Sequence, residues 1–290
     1  MNKTKTFQSC RLRGLAVIAA VAATFWAPTL PAQQDDAQLS NVSSGNDRIT
    51  VKLDDPSKPA TVRANLLAGS ISVQGYDGKE IVIEGHHLES PPEYEGDLKR
   101  YTQSGFSVQQ QNNQVQILSN VFENPMNLSL KVPYHTSLTL RTVTGGDIEV
   151  DGVDGEFDIS NVNGSVRLNN VSGSAVANAV NGQVFATFTR INPDKPMAFS
   201  SMNGNIDVTL PANLKANIRF RTFHGDFYSN FDLQFPANEA QPSGDTWGFG
   251  DKNRFSTGKA MNGTVGGGGP EIQFTNFNGN IYLRKAKTAR

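Results

Sequence analysis

Glu149, Arg167 and Asp207 stand at one position of a recurring phrase, each three residues after a glycine (Gly146, Gly164 and Gly204). Carboxylates with an arginine beside them on one outward face are the equipment of acid–base chemistry on sugars, as in β-helix glycosidases and lyases. The same position reads Phe185, Tyr228 and Tyr282 in other copies of the phrase. Aromatic side chains on an open face suit contact more than proton transfer. The six residues Glu149, Arg167, Phe185, Asp207, Tyr228 and Tyr282 therefore form the candidate binding face. A carbohydrate-active enzyme using Glu149, Arg167 and Asp207 is the alternative.

Other chemistry finds less support. His86 and His87 are adjacent, and neighbours on an extended chain point to opposite sides, which is poor for holding one metal. His224 takes the asparagine place of its own phrase. There is no Gly-x-Ser-x-Gly, and Gly266–Gly269 lacks the lysine and helix of a phosphate loop. The acidic stretch 145–155 has the nine-residue period of calcium-binding repeats, but its aspartates do not recur. The slot after the glycine reads Asp147, Glu156, Ser165, Ser174, Gln183, Asn205, Asp226 and Asn280, which describes a solvated face. No catalytic residue, metal or cofactor is predicted.

The elements that carry these residues are set by the repeat. Gly146, Gly155, Gly164, Gly173 and Gly182 follow one another at intervals of nine. The full phrase recurs at spacings of 18, 18, 22 and 21 residues between Gly146, Gly164, Gly182, Gly204 and Gly225, and again at Gly279. An all-β solenoid follows, with two strands per coil of about 18–22 residues. One strand follows each corner (Ile148/Val150, Val166/Leu168, Val184/Ala186, Ile206/Val208, Ile281/Leu283). The other precedes the next corner (Phe157/Ile159, Ala175/Ala177, Met197/Phe199, Ile218/Phe220, Ile272/Phe274). These hydrophobes stack inward, one coil above another at ~4.8 Å. The corner glycines Gly146, Gly155, Gly164, Gly173, Gly182, Gly204, Gly225 and Gly279 are expected at positive φ. Asn163, Asn181, Asn203 and Asn278 are expected to bond along the stack as a ladder. Ordinary Asn-Gly hairpins, giving meanders or a sandwich, are the competing arrangement.

Along the chain, Lys3, Lys5, Arg11 and Arg13 precede an apolar run over 14–27, which reads as a signal peptide, residues 1–32. The run is shorter than the ~20 residues that span a bilayer, so no transmembrane segment is expected after cleavage. Residues 33–47 read as a disordered leader, and 48–290 as the solenoid domain, with a surface excursion over 86–104 and an insertion over 232–269. A hairpin is expected about Asn112-Asn113. Residues 1–32 hold four of the 26 Lys+Arg and none of the 27 Asp+Glu, so the remainder has 22 against 27, a net charge of −5. That balance excludes a nucleic-acid partner, which requires a basic face. The one cysteine, Cys10, falls in the signal, so the exported chain has neither disulfides nor thiolate sites.

The phrases 127–133 (Asn-Leu-Ser-Leu-Lys-Val-Pro), 138–150, 206–211 and 275–283 resemble the bacterial family of exported proteins labelled putative adhesins, largely of unknown function. The likeness covers 128–284 well and 49–84 more loosely. It implies a β-helix-like domain without an assigned active site. Together these readings predict a periplasmic or secreted, non-enzymatic binding or scaffold protein of the bacterial envelope, whose partner is an envelope protein or glycan.

Overall fold

The computed structural model describes residues 47–87, 106–119, 125–236, 254–256 and 260–287. The predicted signal, nearly all of the leader, and the greater part of both the excursion and the insertion lie outside the described residues. Asp47 already belongs to the strand Asp47–Lys52, so ordered structure starts one residue before the expected boundary. Among the described residues there is no helix; the fold is all-β, with every strand in one hydrogen-bonded sheet.

Strands stack in two parallel ladders. The first holds the strands that follow the corners. Its order is Met126–Pro133, Ile71–Tyr76, Ile148–Asp151, the start of Val166–Ala179, Val184–Ile191, Ile206–Leu210, Ile281–Lys285 and Asp226–Ser229. The second holds the strands that precede the corners. It runs Gln114–Leu118, Ala60–Ala68, Thr136–Thr144, Asp154–Asn161, the end of Val166–Ala179, Met197–Asn203, Glu271–Asn278 and Ala216–His224. Parallel pairing arises because each circuit returns the chain to its starting side before the next strand is laid. The predicted inward residues of both ladders are buried and make one core. Phenylalanines fill its far end, with Phe199 stacked on Phe274 at 5.5 Å and Phe220 on Phe227 at 3.8 Å.

The order departs from the sequence at both ends. The Gly225 rung does not follow the Gly204 rung; the chain's last rung, Glu271–Asn278 with Ile281–Lys285, slots between them. Likewise Ala60–Ala68 and Ile71–Tyr76 lie inside the later strands Gln114–Leu118 and Met126–Pro133. Antiparallel strands then close the exposed edges. Glu80–His87 and Ser107–Gln111 cover one end; Arg254–Ser256 and Met261–Val265 cover the other. Asp47–Lys52 is laid in turn against Glu80–His87, so the sheet ends on short antiparallel strands, and short edge strands are less open to pairing with another chain. The hairpin about Asn112-Asn113 forms, with both asparagines left-handed at φ 52° and 60°.

The corner glycines owe their identity to closeness. Gly146, Gly155, Gly164, Gly182 and Gly204 are not left-handed, which corrects the expected positive φ; Gly173, Gly225 and Gly279 are, at 113°, 153° and 135°. A Cβ on Gly164 would collide with the carbonyl oxygen of Gly146, one on Gly182 with that of Gly164, and one on Gly204 with that of Gly182. The series continues through Gly279 against Gly204 and Gly225 against Gly279, following the stacking order. Strand spacing here leaves no room for a methyl group.

Those carbonyls are held by a buried polar column. Thr142 Oγ1 donates to Gly69 O at 3.0 Å, Asn161 Nδ2 to Gly146 O at 2.8 Å, and Ser201 Oγ to Gly182 O at 2.9 Å. Asn276 Nδ2 donates to Gly204 O at 2.9 Å and Thr222 Oγ1 to Gly279 O at 3.3 Å. A buried carbonyl without such a donor costs stability. Two classes of glycine should therefore behave differently in urea denaturation. Gly182→Ala should lose about 1–3 kcal/mol, as overpacked sites do. Gly145→Asn, left-handed and with open space around it, should change stability by under about 0.5 kcal/mol, because asparagine tolerates that conformation. Equal losses would refute the close-approach explanation.

Candidate functional site

The corners and the strands beside them project four surface features. The first is the asparagine ladder, which forms as expected: Asn181 Nδ2 donates to Asn163 Oδ1 at 2.9 Å, Asn203 to Asn181 at 2.8 Å, and Asn278 to Asn203 at 2.9 Å. Asn163 ends it on Val143 O at 3.0 Å. His224 lies in register beside Asn278 and takes the next place. An amide can donate to one neighbour while accepting from the other, which accords with the asparagine rung lying inside and the histidine rung at the end.

The second feature is the slot after each glycine. It is not a plain solvated face. Asp147 Oδ1 accepts from the backbone N–H of Ser165 at 2.7 Å, Asn205 Oδ1 from Asn280 N at 2.8 Å, and Asn280 Oδ1 from Asp226 N at 2.9 Å. Each short polar side chain thus pins the first residue of the neighbouring rung. The varied sequence of that slot hid a shared task, because Asp, Asn and Ser all supply an acceptor oxygen.

The third is the predicted binding face. The register brings all six residues into one column, in the order Glu149, Arg167, Phe185, Asp207, Tyr282, Tyr228, so the last two are exchanged relative to the sequence. Glu149 and Asp207 are three rungs apart, about 14 Å at the spacing of neighbouring strands. That exceeds the roughly 5–9.5 Å separation of glycosidase carboxylates. Arg167 lies beside Glu149, and Phe185 stands between Arg167 and Asp207. Asp207 is also occupied: Arg284 Nε and Nη2 grip it at 2.7 and 2.9 Å, a pair that holds the guanidinium more firmly protonated. Glu149 accepts from Asn169 Nδ2 at 2.9 Å. The trio is not brought together.

Nor are the aromatics of this column open platforms. Phe185, Tyr228 and Tyr282 are half-buried. The Arg167 guanidinium covers Phe185 at 4.7 Å, Arg284 lies over Tyr282 at 5.1 Å, and Tyr228 stacks on Tyr282 at 5.1 Å with 11° between planes. Their faces are spent on one another, and the column reads as rung-to-rung cohesion.

The exposed hydrophobes lie elsewhere. The residues before the ladder asparagines, Val162, Val180, Met202 and Phe277, form their own column, extended in register by Val143 before Thr144 at one end and Phe223 before His224 at the other. Met202 is 50% exposed, Phe223 42%, Val143 41% and Phe277 39%, while Val162 and Val180 are half-buried. Phe223 and Phe277 touch at 5.1 Å, and Arg221 covers one face of Phe223 at 4.2 Å. This ridge spans five intervals, about 24 Å. Sequence reasoning did not single out this column of hydrophobes. The available signal was their place immediately before an outward asparagine, where the chain leaves the strict alternation of the core.

Among the described residues no three His, Cys, Asp or Glu side chains gather as metal ligands would, and no helix is long and apolar enough to cross a membrane. The chain belongs to the Toastrack DUF4097 family, which matches residues 29–264, and this membership bears out the resemblance to exported proteins labelled putative adhesins. No curated protein matches it. Similar solved structures include the following three. A putative cell adhesion protein from Clostridium sporogenes is 11% identical, covering 83% of this chain and 100% of its own, with a TM-score of 0.42. A putative adhesin from Bacteroides fragilis is 12% identical, covering 84% and 98%, with a TM-score of 0.38. One from Parabacteroides merdae is 7% identical, covering 85% and 98%, with a TM-score of 0.28. Likeness at that level carries no functional argument.

If the Asp207 column is cohesion at an exposed surface, Arg284→Gln should lower stability by under about 1 kcal/mol in thermal denaturation, as exposed ion pairs do. A loss above about 3 kcal/mol would mean that the pair is part of the core.

Proposed function

We propose that this chain is a non-enzymatic binding or scaffold module of the bacterial cell envelope, exported to the periplasm or beyond and built as a β-solenoid of two-strand coils. The observation that carries the reading is the corner ridge. A line of Val, Met and Phe side chains, exposed at Val143, Met202, Phe277 and Phe223 and half-buried at Val162 and Val180, runs beside a row of amides. That is the composition of a contact surface, apolar along its length and polar at its margin. A rod of rigid rungs supports it, so little ordering entropy is lost on contact. The partner is an envelope protein or glycan. The positive n-region and apolar run of residues 1–32 support export.

The test is capture of outer-membrane extracts and envelope glycans by the purified chain, compared with the Met202→Ser/Phe223→Ser/Phe277→Ser variant. The variant should bind at least about tenfold more weakly while unfolding near the parent midpoint, because surface substitutions cost little stability. Capture that survives unchanged, or turnover of any polysaccharide, would contradict the proposal.

A further inference from the structure

At one end of the ridge the second ladder carries a concavity of about 800 Å³, lined by Arg63, Asn65, Leu66, Leu67, Gln116, Ser119, Thr139, Arg141 and Val143. It is a shallow depression on the sheet face, open to solvent rather than enclosed. It is assembled from three strands that are remote in sequence. Gln116, Arg63 and Thr139 lie abreast in one row, and Leu118, Asn65 and Arg141 in the row two residues further on. Alternate residues of a strand share a face, so both arginines project from the same outward surface, on diagonal positions roughly 7–8 Å apart.

The chemistry of this lining differs from that of the rest of the molecule. It holds two arginines and no carboxylate, in a chain whose exported part is net acidic. Arg63 has no ion pair or hydrogen bond among the described residues. Arg141 reaches Asp158 Oδ2 at 3.2 Å, with both side chains more than half exposed, a pair worth little in water and readily exchanged. Four neutral side chains (Asn65, Gln116, Ser119 and Thr139) line the same space, and Leu67 and Val143 add apolar surface.

The geometry points to a binding site for a carboxylate-bearing sugar, a short segment of an acidic glycan. A guanidinium fork matches a planar carboxylate with two parallel hydrogen bonds. Amides and hydroxyls match sugar hydroxyls, and the apolar patch accepts a ring's C–H face. Val143 belongs both to this basin and to the ridge, so a linear glycan anchored here by its acid group continues onto the apolar line. The inference rests on the binding-module reading and names the ligand class for it.

The experiment titrates the purified chain with tetragalacturonate, with the neutral galactose tetramer and with inorganic phosphate, by calorimetry at low salt. The acidic tetramer should bind at least about tenfold more tightly than the neutral one, and binding should weaken as salt screens the arginines. Arg63→Gln and Arg141→Gln should each weaken it about tenfold, with melting unchanged. Arg63→Lys, which keeps charge but loses the fork, should fall between. Equal binding of the neutral tetramer, phosphate binding with no preference for the sugar acid, or indifference to both arginines would overturn the inference. Failure of the acidic tetramer while ridge-dependent capture of envelope material persists would sink this inference alone. Failure of both would sink the reading beneath it.

Discussion

The structure depends on how closely backbones approach at the corners. There a glycine of one rung lies against the carbonyl of the glycine in the rung beside it, too near for any side chain to intervene. The approach brings buried carbonyls to the turn, and Thr142, Asn161, Ser201, Asn276 and Thr222 each give one of them a donor from inside. The two halves support each other. A side chain at the glycine would part the rungs, and an apolar residue at the donor position would leave a carbonyl unsatisfied in the core. The Ala179 rung omits its donor, and that rung also faces the core with the small side chains Ala175, Ala177 and Ala186.

Once the corners are fixed in contact, the surface features follow from register alone. Residues at equal distance from each glycine line up across rungs, so one position becomes the amide ladder, one the side-chain-to-backbone ladder, and one the exposed ridge. The stack therefore converts a repeat in sequence into lines on a surface. Such a surface presents related positions in line from rung to rung, which is the physical sense in which a repeat fold makes extended surfaces.

The repeat made much of this legible. Glycines nine apart with alternating hydrophobes announced the all-β stack, the inward columns and the asparagine ladder. The reason for the glycines was not legible, because a residue required by closeness and one required by positive φ look alike in sequence. The order of the end rungs was hidden too. Gly204, Gly225 and Gly279 carry the same phrase, and nothing local says that Gly279 is laid between the other two. Outward Glu149, Arg167 and Asp207 looked like a cluster because they share a phase, yet phase does not give distance, and three rungs separate the carboxylates. The basin was invisible for a different reason: Arg63, Gln116 and Thr139 meet only through long-range pairing.

Hydrogen exchange on Gly204→Ala tests the central claim most directly. If corner glycines are locked by contact in the order Gly182, Gly204, Gly279, Gly225, the added methyl should strip protection from Val184–Ile191, Ile206–Leu210 and Ile281–Lys285. Asp226–Ser229, one rung further away, should retain the most. Undiminished protection with an unchanged melting curve would contradict the close approach. Loss that reaches Asp226–Ser229 while sparing Ile281–Lys285 would contradict the stacking order.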